Sequence, residues 1–240
     1  MSEVSDRVAG LCARFDLTPE AGDAFERLLD LVAGEPVALT SVRDPRQAVD
    51  VHLADSLAGL LLPVVCETPD LADLGSGGGY PGLVLAVARP TARVVLVESV
   101  GKKAAFLRRA ADQLGLASVE VVDRRVEDWA AGRDSVGLVT ARALARLPVV
   151  LEYAAPLLRL GGSVVAWKGR RDAAEEAAGA SAAVALGLSP PEPVAVPADL
   201  VAGADARHLY VSLKVEATPP RYPRRAGMAR KRPLGPSSGA

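Results

Sequence analysis

The chain is 240 residues long, half of them apolar, with a formal net charge of −1, a composition that suits one folded domain with a small appended element. Its two cysteines lie far apart, which argues against a disulfide scaffold, and the first ten residues contain acids where a secretory signal is apolar. The longest apolar stretch, residues 57–66, is too short to span a bilayer, so we expect a cytoplasmic protein without membrane contact.

The first 65 residues are predicted to form a helical extension. Thr18 is a favourable N-cap and Pro19 suits the first helical position, and apolar residues follow at helical spacing until Gly34 ends the pattern. A second amphipathic helix is predicted over residues 46–62. Both helices have one apolar face, so we expect the extension to pack on the domain that follows.

Between residues 66 and 216, short apolar runs alternate with helical patterns. Strands are predicted at residues 71–74, 94–97, 119–122, 136–140 and 163–167, and helices at residues 81–88, 102–114, 148–159 and 171–185. Residues 208–216 are predicted to add a last, antiparallel strand. This alternation indicates an α/β fold with a Rossmann-like, mostly parallel sheet, helices on both faces, and a ligand at the carboxyl ends of the strands.

Residues 217–240, here called the tail, contain six basic residues and no acid, so the rest of the chain has a net charge of −7. A basic segment rich in proline and glycine does not bury enough apolar surface to fold by itself. Two interpretations stay open from charge alone. The tail is either a polyanion-binding segment, driven by counterion release, or a disordered segment that aids solubility.

The sequence DLGSGGGYPG, residues 73–82, predicts a ligand-binding turn between a strand and a helix. Its glycines fit the spacing of a dinucleotide-binding turn, and Glu98 stands where such a turn has its ribose-binding acid. Two residues argue against a pyrophosphate: Asp73 would repel its charge, and Pro81 removes a backbone N–H donor.

S-adenosylmethionine (SAM) meets both objections, since it has a ribose and an adenine but no phosphate, and its sulfonium and ammonium groups tolerate a carboxylate. We expect Gly77 and its neighbours to bring the backbone close to the methionine half. Asp73 either holds the turn or binds the cationic amino-acid end, and Glu98 accepts hydrogen bonds from the ribose. The alternative is a turn without a ligand, which the number of glycines disfavours.

Four stretches in this order and spacing resemble the bacterial glucose-inhibited division protein B family: DLGSGGGYPG, VESVGKKAAFLRRAADQLGL, VDRRVED and VTARALARL. LTSVRD and HLADSL (residues 39–57) resemble that family's N-terminal segment, and residues 221–235 its tail, so the resemblance covers roughly residues 35–235. The chain departs from the family at Tyr80, where Phe or Leu is usual, and at Met228-Ala229, where Thr-Pro is common.

The resemblance implies a SAM-dependent methyltransferase that modifies N7 of a guanine in 16S ribosomal RNA, free or in the small ribosomal subunit. It also implies cofactor contacts at Gly75, Tyr80, Val126, Glu127 and Arg142. For Arg142 the residues themselves leave three roles open: binding the SAM carboxylate, binding a nucleic-acid phosphate, or an ion pair with Asp73. We expect a monomer.

Basic side chains are predicted to form a track for RNA phosphates, although exposed basic faces are often only solvated. The candidates are Lys102, Lys103, Arg124, Arg142, Lys168, Arg221, Arg224 and Arg225. We further expect that deletion of residues 221–240 weakens RNA association and leaves SAM affinity near normal.

We expect no catalytic acid or base and no metal, because guanine N7 has an in-plane lone pair and needs only alignment with the methyl group. His52, Asp55 and Ser56 share a helix face, but neighbouring positions on one helix do not give the geometry of a catalytic triad. They are interpreted as a polar cluster that packs over the glycine turn or caps the N-terminal helices.

The predicted division is a helical extension at residues 1–65, a SAM-binding domain at 66–216 and the tail at 217–240. Two other functions stay open at this point. A non-catalytic RNA-binding or ribosome-assembly protein would bind RNA without transferring a methyl group, and an NAD-dependent oxidoreductase would bind NAD in place of SAM.

Overall fold

In the residues that the computed structural model describes, 3–42, 44–201 and 206–235, seven strands form one sheet. The strands are β1 (Asp70–Leu74), β2 (Arg93–Glu98), β3 (Val119–Asp123), β4 (Val136–Arg142), β5 (Leu158–Lys168), β6 (Glu192–Ala195) and β7 (His208–Leu213). Their order across the sheet is β3-β2-β1-β4-β5-β7-β6. Strands β1 to β5 pair in parallel, and β7 is antiparallel to both of its neighbours. The predicted fold class is confirmed.

Alternate residues of each strand face two separate hydrophobic layers, as the two-residue period of a strand requires. Leu71 and Leu96 face one layer, whereas Leu74 and Val97 face the other. The parallel register aligns the carboxyl ends of β1, β2 and β4, because Leu74 pairs with Val97 and Ala141. The sheet therefore presents three strand ends at one edge, where a ligand site belongs.

The N-terminal helices complete the first layer. Helix α1 (Glu3–Arg14) packs on α2 (Pro19–Gly34), and α2 packs on α6 (Gly82–Ala88). All three share one hydrophobic layer with α7 (Gly101–Gln113), and Phe25 is fully buried. The Thr18 hydroxyl accepts a hydrogen bond from Ala21 N, as its predicted N-cap position requires. The extension and the sheet share one core, so a domain boundary at residue 65 stays a prediction.

The helix predicted over residues 46–62 is present but irregular. It begins as α3 (Pro45–Ala48), widens into a π-helical segment (Val49–Ala54), and continues through α4 (Asp55–Leu57) into a 3₁₀ turn (Ala58–Leu61). A short helix α5 (Pro63–Glu67) then leads into β1. π-Helical segments are rare and often mark functional positions, and this one carries His52.

The second layer contains α8 (Leu147–Ala154), α9 (Ala173–Leu186) and the described part of the tail, which includes the short helix α10 (Met228–Lys231). Tyr222 and Ala229 of the tail are buried against this layer. The described tail is therefore folded onto the domain, and residues 236–240 lie outside the described residues. None of the helices in these ranges combines the length and apolarity that a membrane span requires.

Two elements of the structure differ from the prediction. The helix predicted over residues 148–159 ends at Ala154, and β5 already begins at Leu158 and runs through Gly161. An irregularity in the register of β4 and β5 accommodates this start, and Gly161 adopts the left-handed region with φ +81°. Strand β6 was not predicted, because its proline suggested a loop, but a short edge strand tolerates proline.

Candidate active site

The glycine turn joins β1 to α6 and is fixed from beneath by Asp73. This side chain is fully buried, and its carboxylate accepts hydrogen bonds from Gly82 N (3.2 Å) and the Thr140 hydroxyl (2.9 Å). Burial raises the pKa of Asp73 to about 6. A Cβ at position 82 would lie 2.8 Å from the Asp73 carboxylate, so glycine is required there. Of its two predicted roles, the structure gives Asp73 the role of holding the turn.

Glu98, at the end of β2, connects the turn to the neighbouring strand. One carboxylate oxygen accepts a hydrogen bond from Gly77 N (3.0 Å) and the other from Val100 N (2.8 Å). The side chain is 6% exposed. Each oxygen has a second lone pair, so the carboxylate can also accept hydrogen bonds from a ligand.

Gly75 lies where two clefts meet at the carboxyl edge of the sheet. Its φ is +69°, and a Cβ there would lie 2.6 Å from the Leu144 side chain, so only glycine fits without strain. The first cleft, of about 330 Å³, is lined among others by Arg124, Arg125, Val126, Glu127, Tyr153 and Arg230. The second cleft, of about 500 Å³, is lined among others by Thr40, His52, Tyr80, Arg142, Trp167 and Lys168.

The first cleft is bounded by the turn after β3 and by the tail. Val126 is buried and begins a 3₁₀ turn, Val126–Asp128. The Glu127 carboxylate accepts a hydrogen bond from Gly227 N (2.9 Å), and Arg230 Nη2 donates to the Leu144 carbonyl (3.1 Å). The cleft thus combines an apolar wall, a carboxylate and a guanidinium.

The second cleft contains an aromatic stack beside a cation. The rings of His52 and Tyr80 stack with centroids 4.7 Å apart, and the Arg142 guanidinium lies 5.5 Å from the Tyr80 centroid. Tyr80 is 5% exposed, and its hydroxyl has no hydrogen-bond partner among the described residues. Burial raises the pKa of Tyr80, so the phenol is neutral at physiological pH.

Asp55 is the centre of the charge network behind this cleft. It is fully buried, and its carboxylate accepts a hydrogen bond from Arg142 Nη1 (2.9 Å) and forms an ion pair with Arg207 Nε (2.9 Å). Arg142 also donates to the Val51 carbonyl (3.0 Å). The suggested ion pair between Arg142 and Asp73 was therefore wrong, since Asp55 is the partner. The polar cluster of His52, Asp55 and Ser56 packs beside the glycine turn, as one interpretation proposed.

The network fixes the tautomer of His52. Arginine only donates, so Nδ1, 3.0 Å from Arg142 Nη2, is the acceptor, and Nε2 carries the proton and donates to the Thr40 hydroxyl (2.6 Å). Burial and the Arg142 charge lower the pKa of His52 to about 4, so the ring is neutral at pH 7. The Ser56 hydroxyl donates to the His52 carbonyl (2.6 Å), away from the ring nitrogens, which agrees with the rejection of a triad.

The predicted RNA-binding residues divide into three groups. Four of them are exposed: Lys102, Arg124, Arg221 and Arg225. Lys103 is half-buried and lines the second cleft, as does Arg142. Lys168 and Arg224 form internal ion pairs with Glu175 and Glu152, so both have a structural role that the sequence did not indicate.

The residues that line the clefts and were missing from the predicted site include Thr40, Tyr153, Arg207 and Arg230. Thr40 lies in the LTSVRD stretch that carries the resemblance, which was a usable signal. Nothing in the local sequence distinguishes Tyr153 or Arg207, because tertiary packing alone brings them to the edge of the sheet.

The strand order and the ligand edge of the sheet define the fold of SAM-dependent methyltransferases. Comparison with solved structures agrees with this class. A predicted O-methyltransferase from Agrobacterium tumefaciens aligns with a TM-score of 0.52 and 25% identity, over 68% of this chain and 81% of that one. Geranyl diphosphate C-methyltransferase from Streptomyces coelicolor, solved with S-adenosylhomocysteine, aligns with a TM-score of 0.56 and 16% identity, over 82% of this chain and 99% of its own.

The chain belongs to the GidB family, described as rRNA small subunit methyltransferase G, which matches residues 23–196. It is 41% identical over 251 residues to ribosomal RNA small subunit methyltransferase G of Rubrobacter xylanophilus, covering 95% of this chain and 96% of the relative. The corresponding protein of Chloroflexus aggregans is 42% identical over 217 residues, covering 88% of this chain and 89% of the relative. The predicted family is confirmed.

Proposed function

We propose that the protein is a SAM-dependent methyltransferase that modifies N7 of a guanine in the 16S ribosomal RNA of the small subunit, and that it works as a cytoplasmic monomer. The observation that carries the proposal is the pair of clefts that meet at Gly75, with Glu98 at the end of the neighbouring strand β2. A cofactor with two chemically different halves and an acceptor base both have room along this edge.

The residues present fit SAM. Glu98 would hold the ribose, and Val126 with Glu127 would hold the adenine ring and its amino group in the first cleft. Gly75 and Gly77 let the ligand approach the backbone, while Asp73 keeps the turn in place. Asp73 beneath the turn and Pro81 within it disfavour a pyrophosphate, because the acid repels its charge and the proline removes a backbone N–H donor. When bound, SAM supplies an electrophilic methyl group on its sulfonium.

The second cleft would receive the acceptor guanine. Tyr80 and His52 form an apolar, stacked wall, and Arg142 is held against them by Asp55. Both ring nitrogens of His52 are engaged, with Arg142 and with Thr40, so this ring would not act as a general base, and guanine N7 would attack with its own lone pair. The protein's contribution to the rate is alignment of the nucleophile and exclusion of water by a prearranged cleft.

Basic residues around the clefts would bind the RNA backbone. Arg124 and Arg125 border the first cleft, and the half-buried Lys103 borders the second. The exposed Lys102 is adjacent to Lys103 in the chain, and the exposed Arg225 belongs to the tail. Each contact with a phosphate releases condensed counterions, so affinity should fall steeply with salt concentration.

The test is transfer of a labelled methyl group from SAM to unmodified small-subunit RNA, either naked or as assembled subunits, followed by digestion and identification of the nucleoside. We expect 7-methylguanosine at a single site. Label at another base or another atom contradicts the N7 assignment, and RNA binding without transfer identifies a non-catalytic RNA-binding protein. Binding of NAD, and not of S-adenosylhomocysteine, would exclude SAM as the cofactor.

A further inference from the structure

The tail crosses the domain beside the first cleft and is anchored at both ends of its path. Tyr222 is 5% exposed, and its carbonyl accepts a hydrogen bond from Arg133 Nη2 (3.0 Å). The backbone N–H and the guanidinium of Arg224 both donate to the carboxylate of Glu152, which is fully buried. Ala229, in α10, is 1% exposed. These contacts fix the tail before and after residue 227.

Between these anchors and directly after the second one, the tail contributes two groups to the first cleft. Gly227 N donates to the Glu127 carboxylate (2.9 Å), which orients the acid predicted to bind the adenine amino group. Arg230 Nη2 donates to the Leu144 carbonyl (3.1 Å), and this residue lines the cleft together with Val126 and Tyr153. Arg230 is exposed, and its planar guanidinium offers both a flat surface and further N–H donors.

We propose that residues 221–235 form one wall of the cofactor site, and that Arg230 contacts the adenosine half of SAM, with its guanidinium against the purine ring. This inference rests on the proposed function. Arginine planes stack favourably on aromatic rings, and Glu127, held by Gly227 N, recognises the edge of the same ring. The tail therefore serves cofactor binding, in contrast to the expectation that its deletion leaves SAM affinity near normal.

Deletion of the tail is a poor test, because it would expose the surface under Tyr222 and leave Glu152 buried without Arg224. Arg230→Ala keeps both anchors. Arg232→Ala is the matched control, since it removes the same charge from an exposed side chain two residues away. Arg230→Lys separates the charge of the side chain from its planar shape.

Calorimetry should measure the affinity of each variant for S-adenosylhomocysteine and for 5′-methylthioadenosine, which keeps the adenosine half and lacks the amino-acid half. We expect Arg230→Ala and Arg230→Lys to weaken both ligands about fivefold to tenfold, and Arg232→Ala to stay within about twofold of the parent. The melting temperature without ligand should stay constant in all three, which separates a lost contact from a damaged fold.

Unchanged affinity in Arg230→Ala, or an equal loss in Arg232→Ala, would overturn the inference while the proposed function stands. Loss of S-adenosylhomocysteine binding with normal methylthioadenosine binding would overturn it too, because Arg230 would then act on the amino-acid half. If the parent protein binds neither ligand, the proposed function itself has failed.

Discussion

The two clefts lie on the same edge of one sheet and share Gly75, yet they are constructed differently. The second cleft is formed by side chains whose charges are paired beneath the surface, with Asp55 between Arg142 and Arg207. The first cleft has exposed arginines at its rim and a wall supplied by the tail. One cleft owes its shape to buried charges, and the other to a segment that folds onto the domain.

This difference shows how a common sheet acquires a particular site. The β-strands place the turn, Glu98 and Gly75 at the carboxyl edge of the sheet, where a ligand site belongs. Residues outside the alternating strands and helices complete the site. The N-terminal extension contributes Thr40 and His52 to the lining of the second cleft and Asp55 to the ion pairs behind it. The tail contributes Arg230 to the lining of the first cleft, and Gly227 holds Glu127.

The largest effect is expected when the buried charge of the second cleft is removed. Asp55→Asn would leave Arg142 and Arg207 without their counter-charge, so the free energy of unfolding should fall by about 3 kcal/mol. Urea denaturation would measure this. The control is Asp199→Asn, which removes a 72% exposed partner of Arg14 and should change stability by about 0.5 kcal/mol or less. Similar losses of stability in both variants would contradict the difference expected between the buried carboxylate and the exposed one.

A substitution at the shared position should affect both clefts. Gly75→Asp forces a side chain into Leu144 at a left-handed φ, so affinity for S-adenosylhomocysteine should fall at least about 100-fold, or about 2.7 kcal/mol. Calorimetry would measure it. Gly115→Asp is the control, because Gly115 also has a positive φ (+67°) and its Cβ would meet nothing within 4 Å. Near-normal affinity in Gly75→Asp would show that S-adenosylhomocysteine does not bind at this edge of the sheet.

Acid should weaken the second cleft through His52. Its pKa is lowered from 6.5 to about 4, so the unfolded chain binds a proton between these values that the folded chain does not. The contribution of neutral His52 to the free energy of unfolding is complete above pH 6.5 and is lost as the pH falls towards 4. We expect the free energy of unfolding to decrease by about 1–2 kcal/mol from this residue between pH 7 and pH 5.

His52→Gln isolates this contribution, since the parent and the variant share every other titrating group. The pH dependence includes Asp73, whose raised pKa of about 6 acts in the opposite direction over the same range. Subtracting the two urea-denaturation profiles removes Asp73. A difference that does not vary with pH would show that His52 is protonated as readily in the folded chain as in the unfolded one.

The smallest effect is expected at Tyr80. Its hydroxyl is buried without a partner among the described residues, so Tyr80→Phe should raise the free energy of unfolding by about 0.5 kcal/mol in the absence of ligand. The same variant should bind S-adenosylhomocysteine or the RNA substrate less tightly if the hydroxyl contacts either one. A loss of stability above 1 kcal/mol would mean that the hydroxyl is hydrogen-bonded within the protein.

Most of the fold could be predicted, because strand and helix periodicity is a local property and the strands from Leu71 to Trp167 are nearly continuous apolar runs. The exceptions have local causes. Gly161 suggested a break where the chain continues as β5, and Pro193 suggested a loop where an edge strand forms. Neither the length of α8 nor the existence of β6 could be read from propensity.

The candidate site was only partly predictable. Residues at strand ends, such as Glu98 and Arg142, could be placed because the topology brings strand ends together. Their partners could not, since Arg142 pairs with Asp55 from a helix 87 positions earlier in the chain. The order of the tail could not be predicted, because its composition left disorder open, whereas Tyr222 and the pairing of Arg224 with Glu152 hold it on the domain.

Glu127 and Gly227 are 100 residues apart in the chain, so the two sides of the first cleft are synthesised at different times. All seven described strands precede residue 221, so the sheet is synthesised while one side of the first cleft is still missing. A prematurely terminated chain would lack both this wall and the partner of the buried Glu152. The same late segment would therefore complete the domain and its methyl-donor site together.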